Sequence, residues 1–180
     1  MKRSERGFTF IEFLVVMAIV ALIAGAAGAT TLQLFASTER SNNHMTAVRQ
    51  VQNAGYWISR DALMAESTDN VTTHPEFLIL NWTEWGYDED SIYHKVTYSF
   101  EDMPGGLKKL KRTHWSRVGT NEPTLVAETL VAEYIYYDPD DPDNTTKASY
   151  ESSVLTVQIA AAIGEANEIK EYRVWHRPNF

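Results

Sequence analysis

A carboxylate stands near the start of the longest apolar run in the chain. Glu12 lies in Gly7-Phe8-Thr9-Phe10-Ile11-Glu12-Phe13-Leu14-Val15-Val16, and after it no charged residue occurs until Glu39. The run from Phe13 to Ala29 is almost entirely apolar, and with Phe8 to Ile11 it supplies the roughly 20 residues a helix needs to cross a bilayer. A charged side chain deep in such a span costs roughly 2.5 to 3.5 kcal/mol, so an acid kept there is a functional candidate by default. Glu12 therefore needs a partner, and a positive charge at the same depth on a neighbouring molecule is the most economical one.

The flanks say what kind of segment this is. A cleavable secretory signal has a shorter apolar region followed by a small-residue cleavage site. Here the apolar stretch runs on through Thr30, Thr31, Leu32 and Leu34, and the small residue available for cleavage, Gly7, precedes it. Lys2, Arg3 and Arg6 outweigh Glu5 just before the span, so the positive-inside rule keeps the N-terminus cytoplasmic and sends everything after about Thr30 across the membrane. The absence of cysteine is compatible with an extracytoplasmic domain without arguing for one.

A short basic leader, Gly7, an aromatic Phe8, Thr9, two hydrophobic residues, Glu12 and a long apolar stretch together resemble the class III signal of type IV pilins and pseudopilins. The resemblance covers about residues 1 to 30. It implies that a membrane-embedded prepilin peptidase cuts the Gly7-Phe8 bond and methylates the nitrogen of Phe8. It also implies that Glu12, then the fifth residue of the mature chain, pairs with the N-terminal amine of an adjacent subunit. Other major and minor pilins or pseudopilins, an inner-membrane platform protein and an assembly ATPase are the partners this implies.

Beyond the span the pattern stays helical. Met45, Val48, Val51, Ala54 or Gly55, Ile58, Ala62 and Ala65 recur at three- and four-residue steps, whereas Glu39, Asn43, Arg49, Gln50, Asn53, Arg60 and Asp61 fall largely elsewhere. No proline interrupts Phe8 to His74, which predicts one helix of about 59 residues, about 90 Å at 1.5 Å per residue. Gly25 and Gly28 are either points of local bending or, with Ala21 and Ala29, a small-residue ladder for close helix approach.

From Pro75 onward β-branched and aromatic residues predict strands at Phe77 to Trp82, Ile92 to Phe100, Leu107 to Trp115, Thr124 to Tyr137, Val154 to Ile163 and Ile169 to His176. Met103-Pro104-Gly105-Gly106 predicts a hairpin turn, and the stretch Ala160 to Asn167 around Gly164 predicts a second reversal. The expected class is α+β: an antiparallel sheet packed on the amphipathic half of one long helix, which is also the pilin fold. The expected organisation is a cleaved leader 1-7, a transmembrane helix 8-30, an amphipathic continuation 31-67 and an extracytoplasmic β-domain 68-180 of about 110 residues, enough for its own core. The layout from Ile58-Ser59-Arg60-Asp61 through Val96 to Phe100, the glycine turn, the basic strand and Leu130 to Tyr137 is similar to that of J-type minor pseudopilins of type II secretion and W-type minor pilins. Glu12 speaks against the K-type tip subunit, which lacks that acid, and the large aromatic and charged excursions speak against a major subunit.

Charge and motifs bound the chemistry. Loss of residues 1 to 7 removes three bases and one acid, taking the formal charge from -8 to -10. That balance argues against general binding to nucleic acid, where phosphate neutralisation dominates affinity. Asp138, Asp140, Asp141 and Asp143 supply the hard oxygens that calcium prefers, although a solvated loop without calcium is the plainer account and their spacing does not match the calcium loop of helix-loop-helix proteins. Trp85-Gly86-Tyr87-Asp88-Glu89-Asp90 is a poorer version of the same idea.

Lys108, Lys109, Lys111, Arg112, His114 and Arg117 form one basic patch, suited to DNA, to an acidic neighbour or simply to a solvated edge strand. Strand alternation places Lys109, Lys111 and Thr113 on one side and Leu110, Arg112 and His114 on the other. His44, His74, His94, His114 and His176 have no metalloprotease spacing, and neither a phosphate loop nor a nucleophile elbow is present, so the chain reads as no enzyme. The aromatic groups Tyr134, Tyr136, Tyr137, Trp82, Trp85 and Trp175 read as core and subunit-contact surface. The expected function is that of a minor pilin or pseudopilin that joins, initiates or caps a filament. The competing reading is a membrane-anchored binding module for DNA, secreted substrate or a surface that never polymerises.

Overall fold

A computed structural model describes residues 9–70, 75–85 and 91–175. Helix α1 runs unbroken from Phe10 to Met64, 55 residues, and passes through Gly25 and Gly28 without interruption. Eight strands follow: β1 (Ser67–Asn70), β2 (Glu76–Trp85), β3 (Ser91–Asp102), β4 (Lys108–Val118), β5 (Thr124–Ile135), β6 (Lys147–Glu151), β7 (Val154–Ile163) and β8 (Ala166–Trp175). All neighbours are antiparallel, in the order β1-β2-β3-β4-β5-β7, with β6 on the same edge of β7 as β5 and β8 on its other edge. The chain forms two compact units, residues up to Asn42 and residues from Asn43 onward.

The core lies in the second unit, between the last third of α1 and one face of the sheet. The helix contributes Ala47, Val51, Ala54, Gly55, Ile58 and Ala62 at three- and four-residue steps. The strands contribute Leu78 and Leu80, Val96 and Tyr98, Leu110, Ile135, and Leu155 and Val157, mostly at the two-residue period of a sheet with one buried face. Burying each of the larger aliphatic side chains contributes roughly 1.5 to 3 kcal/mol. The helix stripe is mostly small, which lets the helix axis come close to the sheet. Tyr172 of β8 uses that space: its ring lies where a Cβ on Gly55 would fall, 2.0 Å from Cζ, and its hydroxyl donates to the carbonyl of Val51 at 3.2 Å.

Strand β5 changes neighbours partway along. Its register against β4 jumps from Leu110↔Ala132 to Lys108↔Ile135, and within that bulge Tyr134 takes φ 60°. Ile135 then pairs with Ala161 of β7, and the Tyr136 N–H donates to the Ala160 carbonyl at 2.8 Å. The edge of β5 left open at the bulge is met by the helix. Gln50 Oε1 accepts from the Glu133 N–H at 2.9 Å, and Asn53 Nδ2 donates to the Val131 carbonyl at 2.5 Å.

Several details differ from the sequence reading. Met45 is exposed, and the buried stripe starts at Ala47 instead. Asp61, expected outside the buried face, is only 1 % exposed. β5 ends at Ile135, before Tyr136 and Tyr137, because the bulge turns it toward β7. Met103 to Leu107 makes the expected hairpin, with Gly105 and Gly106 at positive φ, and Gly164-Glu165 makes the second, which leaves Ala160 to Ala162 inside β7. β1 and β6 were not anticipated. β6 joins β7 through Ser152-Ser153, both at positive φ, a two-residue turn of the kind usually built from Asn and Gly.

Candidate functional site

The N-terminus of α1 is closed by its own first residues. Thr9 is the cap: its carbonyl accepts the first helical hydrogen bond, from the Phe13 N–H at 3.2 Å. The Glu12 N–H approaches Thr9 Oγ1 at 3.4 Å, while Glu12 Oε2 accepts from the Thr9 N–H at 2.9 Å and from the Thr9 hydroxyl at 2.8 Å. Thr9-Phe10-Ile11-Glu12 is therefore a reciprocal capping box, which satisfies amide donors that the helix would otherwise leave bare. The positive end of the helix dipole adds to it, since a negative side chain in the first turn is favoured. The acid that the hydropathy pattern marks as costly thus has a local role within its own chain.

Every described residue of α1 up to Asn42 is exposed within this chain. The segment is long and apolar enough to cross a membrane. Its polar groups are closed off internally, with Thr30 and Thr31 hydroxyls donating to the carbonyls of Ala26 and Ala27 at 2.9 Å. Nothing packs within 4 Å of the Cβ positions of Gly25 and Gly28, which leaves a smooth, small-residue surface. Gly7 and Phe8, the expected cleavage junction, lie outside the described residues, as do the leader bases Lys2, Arg3 and Arg6.

The basic strand is rearranged by the fold. β4 is an interior strand between β3 and β5, not an edge strand. Alternation holds as expected: Leu110 and Arg112 turn into the core, while Lys109 and Lys111 face away. Arg112 is accordingly no part of a surface patch. Its Nε and Nη2 donate to Oδ2 and Oδ1 of Asp61 at 2.6 and 3.1 Å, and Tyr98 donates its hydroxyl to the same Oδ2 at 2.6 Å. Trp57 lies close to two guanidinium groups, with Arg60 4.6 Å and Arg112 5.2 Å from its ring centre. Burial first, then the Asp61 charge, pushes the Tyr98 hydroxyl well above its ordinary range. Burial opposes the Arg112 charge, but the hydrogen bonds and attraction from Asp61 more than offset it and hold the guanidinium above the usual arginine value.

The surface lysines of β4 are matched by acids on adjoining strands. Lys108 pairs with Asp102, Lys109 with Glu133 at 3.8 Å, and Lys111 with Glu101 and, at 3.4 Å, with Glu128. His114 belongs to a second cluster on the inner face. His94 Nδ1 and His114 Nε2 stand 3.0 Å apart, and Trp82 stacks on both rings at 5.0 and 5.6 Å. Burial, with added repulsion from Arg112 and His94, lowers the pKa of His114. Glu84 Oε2 lies 3.4 Å from His94 Nε2, off hydrogen-bond geometry, and that nitrogen and Trp82 Nε1 are buried without a hydrogen-bond partner among the described residues.

The acid run does not gather its oxygens. Asp138 Oδ1 accepts from the Asp140 N–H at 2.9 Å, and Asp141 accepts from the Asn144 side chain at 3.0 and 3.1 Å. Asp140 and Asp143 point no carboxylate at either of them, and among the described residues no three His, Cys, Asp or Glu side chains are placed to hold a metal ion. Of the second acidic segment, Trp85 is exposed and Gly86 to Asp90 lie outside the described residues. His74 and His176 lie outside them too.

Sequence reasoning missed Asp61 as the centre of a buried cluster, although two signals point to it. It falls three residues after Ile58 and one before Ala62, inside the apolar stripe, and Arg112 alternates in phase with Leu110.

No curated protein and no solved structure matches the chain. Residues 2–28 match the family model described as the prokaryotic N-terminal methylation motif. That span contains the Gly7-Phe8 junction, the Thr9–Glu12 cap and most of the apolar surface of α1, so the chain carries the class III signal of type IV pilins and pseudopilins.

Proposed function

We propose that the chain is a minor pilin or pseudopilin, a structural subunit that assembles into, initiates or caps a type IV pilus-like or type II secretion filament. The methylation motif over residues 2–28, continuous with an apolar helix surface that no described residue covers, carries this reading. The precursor is held by α1 in the cytoplasmic membrane, its basic leader inside and its β-domain outside. Prepilin peptidase cuts after Gly7 and methylates Phe8. Glu12 then meets the amine of a neighbouring pilin, and the alanine- and glycine-rich surface of α1 packs in the filament core. The layout shared with J-type pseudopilins and W-type minor pilins favours a minor role over a shaft subunit. The platform protein and ATPase of the host system supply the work.

Intact-mass and N-terminal analysis of the protein from its own cells tests the reading. A mature chain starting at methylated Phe8 is expected, with Gly7→Leu leaving the precursor uncut. A chain starting at Met1 in cells that process other prepilins would overturn it. Glu12→Ala separates assembly from mere anchoring, because incorporation into filaments is expected to fail while membrane insertion and the folded β-domain persist.

A further inference from the structure

On the outer face of the sheet, away from α1, strands β2, β3 and β4 bring together side chains whose spacing gives no hint of it. Asn81, Lys95 and Trp115 stand in one row across the strands, and Thr83, Tyr93 and Arg117 in the next. They line a groove of about 700 Å³. Trp115 and Tyr93 are 36 % and 40 % exposed. The Arg117 guanidinium lies over the Tyr93 ring, 4.8 Å from its centre, a cation–π contact that holds the charge at the groove. The acid in the groove wall, Glu66, accepts from the Thr83 N–H at 3.2 Å. Unlike the lysines of β4, Lys95 and Arg117 have no ion pair with any described residue.

A converse arrangement lies in the connection between β5 and β6. Asp140 and Asp143 are exposed with carboxylates that no described residue engages, and Pro139 and Pro142 beside them are exposed as well. The loop is held in shape by its own bonds. The Asp138 N–H donates to Thr145 Oγ1 at 2.7 Å, Gln158 Nε2 to the Asp143 carbonyl at 2.9 Å, and Lys147 to the Pro142 carbonyl. A loop so fixed loses little conformational freedom on binding.

We propose that the groove receives the 138–144 loop of a second copy of this chain: Pro139 and Pro142 against Trp115 and Tyr93, Asp140 and Asp143 against Lys95 and Arg117. Proline rings on an aromatic-lined groove are a recurrent mode of peptide recognition. Two acids and two bases that no other described residue engages also offset part of the repulsion between two chains of net charge -8. Groove and loop are different surfaces, so the contact between two copies is head-to-tail. It deepens the assembly reading by naming a contact between β-domains that does not involve Glu12.

The absence of cysteine makes a clean test possible. Full-length chains carrying Thr83→Cys are mixed in detergent micelles with chains carrying Pro139→Cys and oxidised. A disulfide-linked dimer is expected from the mixture and not from either chain alone. Lys95→Glu with Arg117→Glu in the groove chain should cut its yield by about tenfold or more, the scale of a lost charge-assisted contact, and Asp140→Lys with Asp143→Lys in the other chain should restore it. No mixed dimer, a yield indifferent to the reversal, or an equal yield from Glu151→Cys in place of Pro139→Cys overturns the proposal. So does a groove that binds a fluorescent single-stranded oligonucleotide through Lys95 and Arg117 without any mixed dimer. Filaments that form without the cross-link remove the contact and leave the assembly reading intact. A cross-link in a chain never cut at Gly7 does the reverse.

Discussion

The two ends of α1 treat a carboxylate in opposite ways. Glu12, in the first turn, is exposed and answered by Thr9 three residues away, whereas Asp61, in the last turn, is buried and answered by Arg112 and Tyr98 from strands 51 and 37 residues away. One acid is satisfied locally, within the stretch of chain that carries the signal. The other is satisfied only by a finished sheet. Likewise, the apolar residues of the first half are left for an outside environment to cover, while those of the second half are covered from within. A single helix thus carries the methylation motif and an uncovered apolar surface at one end and the core of the β-domain at the other, and the two can be perturbed independently.

The largest expected effect comes from breaking the Asp61 cluster. Arg112→Met strands a buried carboxylate and should cost about 3 to 5 kcal/mol, read as a lowered midpoint in denaturant. Arg112→Met combined with Asp61→Leu should recover most of that loss, because a well-packed apolar pair need not be less stable than the ion pair it replaces. A double variant as unstable as the single one would argue that the cluster matters for shape and not for charge. Gly55→Ala is expected to cost about 1 to 3 kcal/mol by forcing the Tyr172 ring off the helix, and Tyr172→Leu should make the same substitution milder.

At the other end, Thr9→Val removes the cap while preserving size. It should weaken the first turn by about 1 kcal/mol, seen as faster amide exchange at Phe10 to Phe13 in micelles with no change in the melting of the β-domain. A shift in that melting would deny the independence of the two ends. The smallest effect expected is on pH dependence. His114 has its folded-state pKa below the ordinary histidine value, so the unfolded chain takes up the proton first. Its contribution is complete above the unfolded histidine pKa and is lost as pH falls through it toward the folded value. His94, Arg112, Asp61 and Arg60 surround it. Thermal melts of wild type and His114→Gln between about pH 7.5 and pH 5 should show a shallower acid-side decline in the variant.

What could be read from the sequence follows the same division. The long helix and six of the strands were legible because each carries its own period of apolar residues. β1, Ser-Thr-Asp-Asn, and β6, Lys-Ala-Ser-Tyr-Glu, carry none: they are strands only because β2 and β7 offer them a partner. The Ser152-Ser153 turn was illegible for a related reason, since two serines at positive φ contradict local preference and are held there by the register on either side. At the N-terminus, Thr9 and Glu12 are both visible, but hydropathy marks only the cost of the acid, whereas the three-residue spacing of a capping box supplies its partner. The basic strand misled because charge was read along the chain, whereas pairing across strands neutralises Lys108, Lys109 and Lys111 and alternation buries Arg112.

The bonds from α1 to the sheet also define a mechanical path. Gln50, Val51 and Asn53 tie one short stretch of helix to Glu133 and Val131 on β5 and to Tyr172 on β8. A pull along the helix axis would load these three ties and the interlocked Gly55–Tyr172 contact together, in shear, instead of peeling them one by one. Tension applied along α1 would then be shared between the two strands, β5 and β8, that flank β7.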